Sequence, residues 1–190
     1  MKLMFASDIH GSLPATEQVL AHFARSGAQW LVLLGDILNH GPRNALPEGY
    51  APAEVAQRLN EQAARIIAVR GNCDSEVDQM LLTFPLSAPW QQVLLPGQQV
   101  LLPGQRLFLT HGHLFSPDNL PPLAQNDVLV YGHTHLPVAQ RQGDIFHFNP
   151  GSVGIPKGGF AASYGMLEEG MLRVMALNDH RVIAQVAINP

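Results

Sequence analysis

Five apolar runs of strand type in this chain each end in a residue that can bind a metal ion. Residues 1–6 lead into Asp8 and His10, 30–34 into Gly35 and Asp36, and 66–69 into Gly71 and Asn72. Residues 107–110 lead into His111, and 128–131 into Gly132, His133 and His135. Near-continuous apolar strands belong in a sheet buried on both faces. In open α/β sheets, ligands gather beyond the carboxyl ends of the strands. The five endings are therefore expected to collect two Asp, one Asn and four His at the carboxyl edge of one sheet, enough to hold two metal ions. An extended chain points residues i and i+2 the same way, so Asp8 and His10 are expected to reach one ion together, and His133 and His135 to repeat the arrangement. Lone histidines elsewhere, His22 and His180, read as core or surface residues.

The rest of the chain fits an α/β fold. Residues 14–25 place Val19, Leu20 and Phe23 at helical spacing, with Ser12 as N-cap and Gly27 as C-terminal stop. Residues 52–65 predict a second helix, with Ala53, Ala56, Leu59 and Ala63 on one face. From Trp90 onward the strands are short and broken by Pro and Gly; 145–148, 162–167, 172–177 and 182–188 are expected strands, the last three as hairpins. The expected architecture is a four-layer αββα sandwich of two mixed β-sheets flanked by helices. At 190 residues and 46% hydrophobic, with no linker in sight, the chain reads as one domain over 1–190.

Two segments stand apart. Residues 39–53 form a Gly/Pro-rich loop directly after Asp36, and loops of that length in a compact domain are functional or mobile; a lid over the site is expected. The heptad QQVLLPG at 91–97 recurs unchanged at 98–104. Two copies are too few for a solenoid, and an odd repeat would swap strand faces. One copy is expected in the sheet and the other as an extra hairpin turning at Pro96 and Gly97.

Imidazole and carboxylate donors without thiolate suit Mn, Fe, Zn, Ni or Co, and magnesium less. Two such ions sharing a carboxylate and a water are the usual arrangement for phosphoryl chemistry. Two divalent ions set against Asp8, Asp36 and a bridging hydroxide leave one net positive charge, which attracts a phosphate ester. Neutral Asn72 preserves that charge.

At these residues the chain resembles the calcineurin-like metallophosphoesterases, whose pattern is D-x-H, G-D, G-N-H-[DE], a single H and G-H-x-H. Here it stands as Asp8-Ile9-His10, Gly35-Asp36, Gly71-Asn72-Cys73-Asp74, His111 and Gly132-His133-Thr134-His135. The match covers residues 1 to about 155, and the local forms SDIHGS, RGNCD, LTHGH, YGHTH and FNPGS look closer still to small bacterial phosphodiesterases of that family. The resemblance implies that Asp8, His10, Asp36 and His135 hold one ion. Asp36, Asn72, His111 and His133 hold the other, with Asp36 bridging and manganese as the metal. It also exposes a departure: Cys73 stands where many members have a His that assists the leaving group. An ordinary thiol, with a pKa of about 8.5, is a poor substitute. His113, two residues after His111, is the alternative candidate, set against a role in steering a neighbouring ligand.

The expected activity is hydrolysis of small phosphodiesters by a metal-activated hydroxide, with Asp36, Asn72 and His113 as catalytic candidates and Arg43 or Arg70 as phosphate contacts. A phosphomonoesterase of protein-phosphatase type is the alternative; it calls for paired Arg residues near the metals, which the strand ends lack. A scaffold of the same fold without catalysis is the other, but every ligand position holds a competent residue. The net charge of −4 gives no general nucleic-acid footprint. No apolar run spans a bilayer, and the single Cys73 suits a reducing compartment, so a cytoplasmic protein is expected. Exposed Leu46 and Tyr50 suggest self-association.

Overall fold

The structure, a computed structural model, describes residues 1–95 and 106–188. Eleven strands and three helices follow one another along those residues: β1 Leu3–Ala6, α1 Leu13–Ser26, β2 Trp30–Leu33, α2 Pro52–Asn60, β3 Ile66–Ala68, α3 Glu76–Leu81 and β4 Trp90–Leu94. Then come β5 Arg106–Thr110, β6 Val128–Val130, β7 Pro137–Gln142, β8 Ile145–Pro150, β9 Ser163–Glu168, β10 Met171–Ala176 and β11 Val182–Ala187.

They build two mixed sheets. The first runs β11-β10-β9-β1-β2-β3 and the second β4-β5-β6-β8-β7. In the first, β1, β2 and β3 are parallel and β9 runs antiparallel to β1. In the second, β5, β6 and β8 are parallel and the edges β4 and β7 antiparallel. Strand alternation divides the apolar residues between two cores. Leu3 and Phe5 face inward with Val32, Leu107, Val128 and Phe148, between the sheets. Met4, Ala6, Leu31 and Leu33 face outward beneath the helices, against Val19, Phe23 and Leu59. Phe5 and Phe148 meet edge to face across the sandwich, ring centroids 5.4 Å apart.

Helix α1 starts and stops where its sequence says. The Ser12 hydroxyl accepts from the Ala15 amide, and Gly27 closes the helix at φ 73°, a conformation glycine adopts without a Cβ penalty. Helix α2 is shorter than the 52–65 expected. It ends at Asn60, and a single 3-10 turn, Ala63–Arg65, leads into β3. The Asn60 side chain bonds the backbone at Leu81 and Thr83. The outer face of the second sheet carries irregular chain: Phe115 and Leu123 pack there on Phe108, Leu129 and Tyr131. That segment contains Pro117, Pro121 and Pro122, which remove donors a helix needs. Of the duplicated heptad, Gln91–Leu94 pair with β5 in the sheet, while the expected turn at Pro96 and Gly97 and the whole second copy lie outside the described residues. None of the described helices is long and apolar enough to cross a membrane.

Candidate metal centre

The parallel strands end together, and the chain leaving each one carries the ligand-type residues. Asp8 and His10 follow β1, Asp36 follows β2 and Asn72 follows β3; His111 follows β5, and His133 and His135 follow β6. The set is therefore drawn from the carboxyl edges of both sheets, not of one. The sandwich packs those two edges side by side, so the site sits across the seam.

The segments past the strands are bonded to one another. Asp8 N donates to Gly35 O, His10 N to Asp36 O, Gly11 N to Ile37 O, and Gly132 N to His111 O. Gly35 and Gly71 pass backbone to backbone; a Cβ on Gly71 would lie 2.4 Å from the Asp36 amide nitrogen. Five of the seven candidates hold positive φ: Asp8 55°, His10 51°, Asp36 53°, His133 65° and His135 62°. This corrects the extended-chain expectation. Asp8 and His10 converge because the backbone turns left-handed after the strand, and so do His133 and His135. Such conformations cost about 1–3 kcal/mol each and persist where the surroundings enforce them.

Both carboxylates are held by one oxygen and leave the other free. Asp8 Oδ2 accepts from Ser7 Oγ and the His133 amide, while Oδ1 is buried without a hydrogen-bond partner. Asp36 Oδ1 accepts from the Cys73 amide at 2.8 Å, while Oδ2 faces His111 Nε2 at 3.4 Å and His10 Nε2 at 3.8 Å. The imidazoles are oriented the same way. Nδ1 of His10, His111 and His135 points at the carbonyls of Asn39, Leu34 and Ile155. A neutral histidine that donates Nδ1–H to a carbonyl presents a bare Nε2 lone pair. His10 Nε2 and His135 Nε2 lie 3.4 Å apart, and Asp8 Oδ1 lies 3.3 Å from His135 Nε2. Across Asp36, His111 Nε2 stands 3.0 Å from Asn72 Oδ1 and 3.2 Å from His133 Nδ1. Ligand atoms about 2.1 Å from a common centre are about 3.0–3.6 Å apart. The residues fit two divalent cations, one on each side of Asp36.

The electrostatics agree. Burial opposes the charge on Asp8 and Asp36, but the neighbouring imidazoles outweigh it and hold both carboxyls below their usual range. Burial lowers His10 and His133 and keeps them neutral. For His111 burial also works downward, yet Asp36 and Asp8 push it up to about 9. Cys73 goes the other way from what acid catalysis needs: burial and then the Asp36 charge raise the thiol to about 12. Its Sγ accepts from Asn72 Nδ2 at 3.2 Å.

A cavity of about 700 Å³ opens over the centre. Asp36, Asn72, His133 and His135 contribute to its lining, with Arg43 and Lys157 among the other residues. The expected lid takes the form of a wall. The start of the 39–53 loop lines the cavity, and its far end is tied to the start of α1 by Ala51 N to Gly11 O and Leu13 N to Gly49 O. Tyr50 is half-buried and stacks edge-on against His40, so of the two residues expected to support self-association only Leu46 stands free. Arg70 lies apart from the cavity lining: its guanidinium pairs with Glu76 at 2.7 Å. His113 is exposed beside the centre, its ring 5.4 Å from His111 and 6.3 Å from His133, and burial followed by those two rings lowers its pKa.

Several residues that matter here carry little sequence signal. Asp74 accepts the amides of Asp36, Ile37 and Gly71 and bolts the ends of β2 and β3 together. Asn149 bonds Gly132 O and Thr134 Oγ1, and Ser152 Oγ donates to Asp8 O. Asp74 and the FNPGS run belong to the motif pattern, which marks their presence but not these roles. Lys157 has no local signature. His22 and His180 meet at 4.3 Å beside Tyr164, outside the centre, as expected.

Comparison with known proteins gives the same reading. Residues 1–170 match the calcineurin-like phosphoesterase superfamily domain. The chain is 77% identical to phosphodiesterase YfcE of Escherichia coli K12 over 190 residues, the full length of both. The solved structure of an E. coli phosphoesterase, Yfce, superposes with a TM-score of 0.94 at 76% identity, with 100% of each chain covered. At 16% identity, vacuolar protein sorting 29 from Cryptosporidium parvum shares the fold, with a TM-score of 0.63 over 98% of this chain and 97% of that one. With its ligand pattern in place at the seam of the two sheets, the chain belongs to the calcineurin-like phosphoesterase superfamily.

Proposed function

We propose that this protein is a phosphodiesterase acting on small phosphodiesters at a dinuclear metal centre. The observation that carries the reading is the convergence of two imidazole nitrogens, His10 Nε2 and His135 Nε2, 3.4 Å apart beside the free oxygen of Asp8. A cation is what makes such an arrangement favourable. Asp8, His10, Asp36 and His135 hold one ion, and Asp36, Asn72, His111 and His133 the other. Manganese fits the imidazole–oxygen donor set, and the 77% identical YfcE is a phosphodiesterase. When bound, the ions supply a water of lowered pKa and stabilise charge on the phosphoryl oxygens. The chain's own residues fix the rest. The Cys73 amide holds Asp36 Oδ1 and leaves Oδ2 facing the cluster, and neutral Asn72 would add a ligand without cancelling positive charge. His113 is the exposed imidazole beside the centre that can protonate a leaving oxygen.

A diester is favoured over a monoester because the 77% identical YfcE is a phosphodiesterase, and because two divalent ions set against Asp8, Asp36 and a hydroxide would leave one positive charge, matching a diester's single negative charge. A silent scaffold is disfavoured, since every ligand is present and oriented. Manganese-loaded protein is expected to hydrolyse bis-p-nitrophenyl phosphate faster than p-nitrophenyl phosphate. Asp36→Ala and His133→Ala are expected to lose both activity and bound metal; activity retained in either variant would remove the site assignment. Folding as one domain, residence in the cytoplasm with Cys73 reduced, and self-association through exposed Leu46 complete the proposal. Sedimentation measures the last.

A further inference from the structure

The cavity is larger than a scissile phosphate requires. About 700 Å³ lies within the range that houses whole small-molecule ligands. Part of its lining is metal ligands. Arg43 and Lys157 bring two full positive charges, and Asp36 is the single acid among the lining residues. Neither cation has an ion-pair partner among the described residues. The chain otherwise pairs many of its cations: Arg58 with Glu17 and Glu61, Arg70 with Glu76, Arg106 with Asp127 and Lys2 with Glu168. Two unpaired cations in one cleft of a chain with net charge −4 form a local positive field, which low-dielectric walls focus.

The loops that carry these two residues are tied to the centre. Arg43 sits in a turn closed by Gly41 N to Asn39 Oδ1 and Asn44 Nδ2 to His40 O, both 2.8 Å. Asn39 is the residue whose carbonyl orients His10. Lys157 lies two residues beyond Ile155, whose carbonyl orients His135 and whose amide is held by Ser152 Oγ. Each cation therefore rides on a loop that also positions a metal-ligand imidazole.

On the function proposed above, the metal centre has one net positive charge, matched by the single negative charge of a diester. Arg43 and Lys157 are left over. We propose that they form a subsite for a second phosphoryl group, so that the substrate is a small phosphodiester carrying a further phosphate beyond the bond that is cut. An Arg fork and a Lys ammonium together suit a phosphate dianion, which takes charge-assisted hydrogen bonds from both.

The test compares two chromogenic diesters with the manganese-loaded full chain: thymidine 5′-(p-nitrophenyl phosphate) and the same ester bearing a 3′-phosphate. The second is expected to show a kcat/KM higher by about tenfold or more. That ratio is expected to fall toward one in the Arg43→Gln/Lys157→Gln double variant, and stepwise in the two single variants should the double variant fold poorly. A second readout needs no turnover. Calorimetry should give tighter binding of thymidine 3′,5′-bisphosphate than of thymidine 5′-monophosphate, with the difference lost in the variants. Hydrolysis of both esters at equal kcat/KM, or a preference kept in the double variant, overturns the subsite and leaves the phosphodiesterase reading standing. Hydrolysis of neither ester removes that reading, and the subsite with it.

Discussion

Asp36 divides its two oxygens between a backbone amide and the ligand cluster, and the nearest group on the cluster side is His111. Without an ion, the proton on His111 fills the gap. Its folded pKa of about 9 stands above the ordinary 6.5, so this proton adds stability that is complete below about pH 6.5 and lost as pH rises through 9. An ion must displace the same proton. The metal-free protein is therefore expected to lose thermal stability between pH 6.5 and 9, while apparent metal affinity climbs by up to about tenfold per pH unit for one released proton. Differential scanning fluorimetry and titration calorimetry in two buffers measure the two trends; metal affinity independent of pH would contradict the assignment. Cys73 gives a second test. With the thiol raised to about 12, it neither protonates a leaving group nor attacks phosphorus at neutral pH. Cys73→His is expected to raise turnover of alkyl diesters by up to about 100-fold, and that of p-nitrophenyl esters, whose leaving group needs no acid, much less. Equal gains on both would point to a cause other than proton donation.

At the scale of elements, function depends on the few residues after each strand. The close pass of Gly35 and Gly71 lets the loops after β2 and β3 share Asp74 as an acceptor. Gly71→Ala would drive a Cβ into the Asp36 backbone, so it is expected to cost about 1–3 kcal/mol in denaturant unfolding and to weaken metal binding as well. Unchanged metal content with lowered stability would show that the close pass serves packing alone. These strand ends are legible in sequence because each combines an apolar run, a small residue and a donor side chain. The left-handed backbone at Asp8, His10, Asp36, His133 and His135 is not. Asp and His tolerate positive φ better than most residues, but nothing local requires it, and the bonds that enforce it come from neighbouring strands. The β7 strand and the six-residue α3 were missed for a related reason. Pro137 opens β7 and half its residues are exposed, so no apolar alternation marks it, and α3 is too short to show a helical period.

For the whole molecule, sequence order conceals which sheet each ligand serves. Asp8, His10, Asp36 and Asn72 come from the six-stranded sheet and His111, His133 and His135 from the five-stranded one. Five similar runs in a row look like one sheet until strand pairing is known. Two ions held by this set would therefore tie the sheets together across the seam. Chelation is expected to lower the midpoint of thermal unfolding. It should also raise amide exchange together at residues 7–12, 34–38 and 132–136, with the strand interiors spared; exchange confined to one sheet's loops would contradict a shared site. The same topology bears on biosynthesis. All seven ligands have been translated by His135, yet β9, which pairs beside β1, spans Ser163–Glu168, and the Ser152 hydroxyl and Ile155 carbonyl that steady Asp8 and His135 come from the stretch between. A nascent chain halted after residue 135 would carry every ligand and still leave β1 as a bare sheet edge. Metal capture is therefore expected only once residues 152–168 have joined the fold, and a ribosome-bound fragment ending at residue 135 is expected to remain empty.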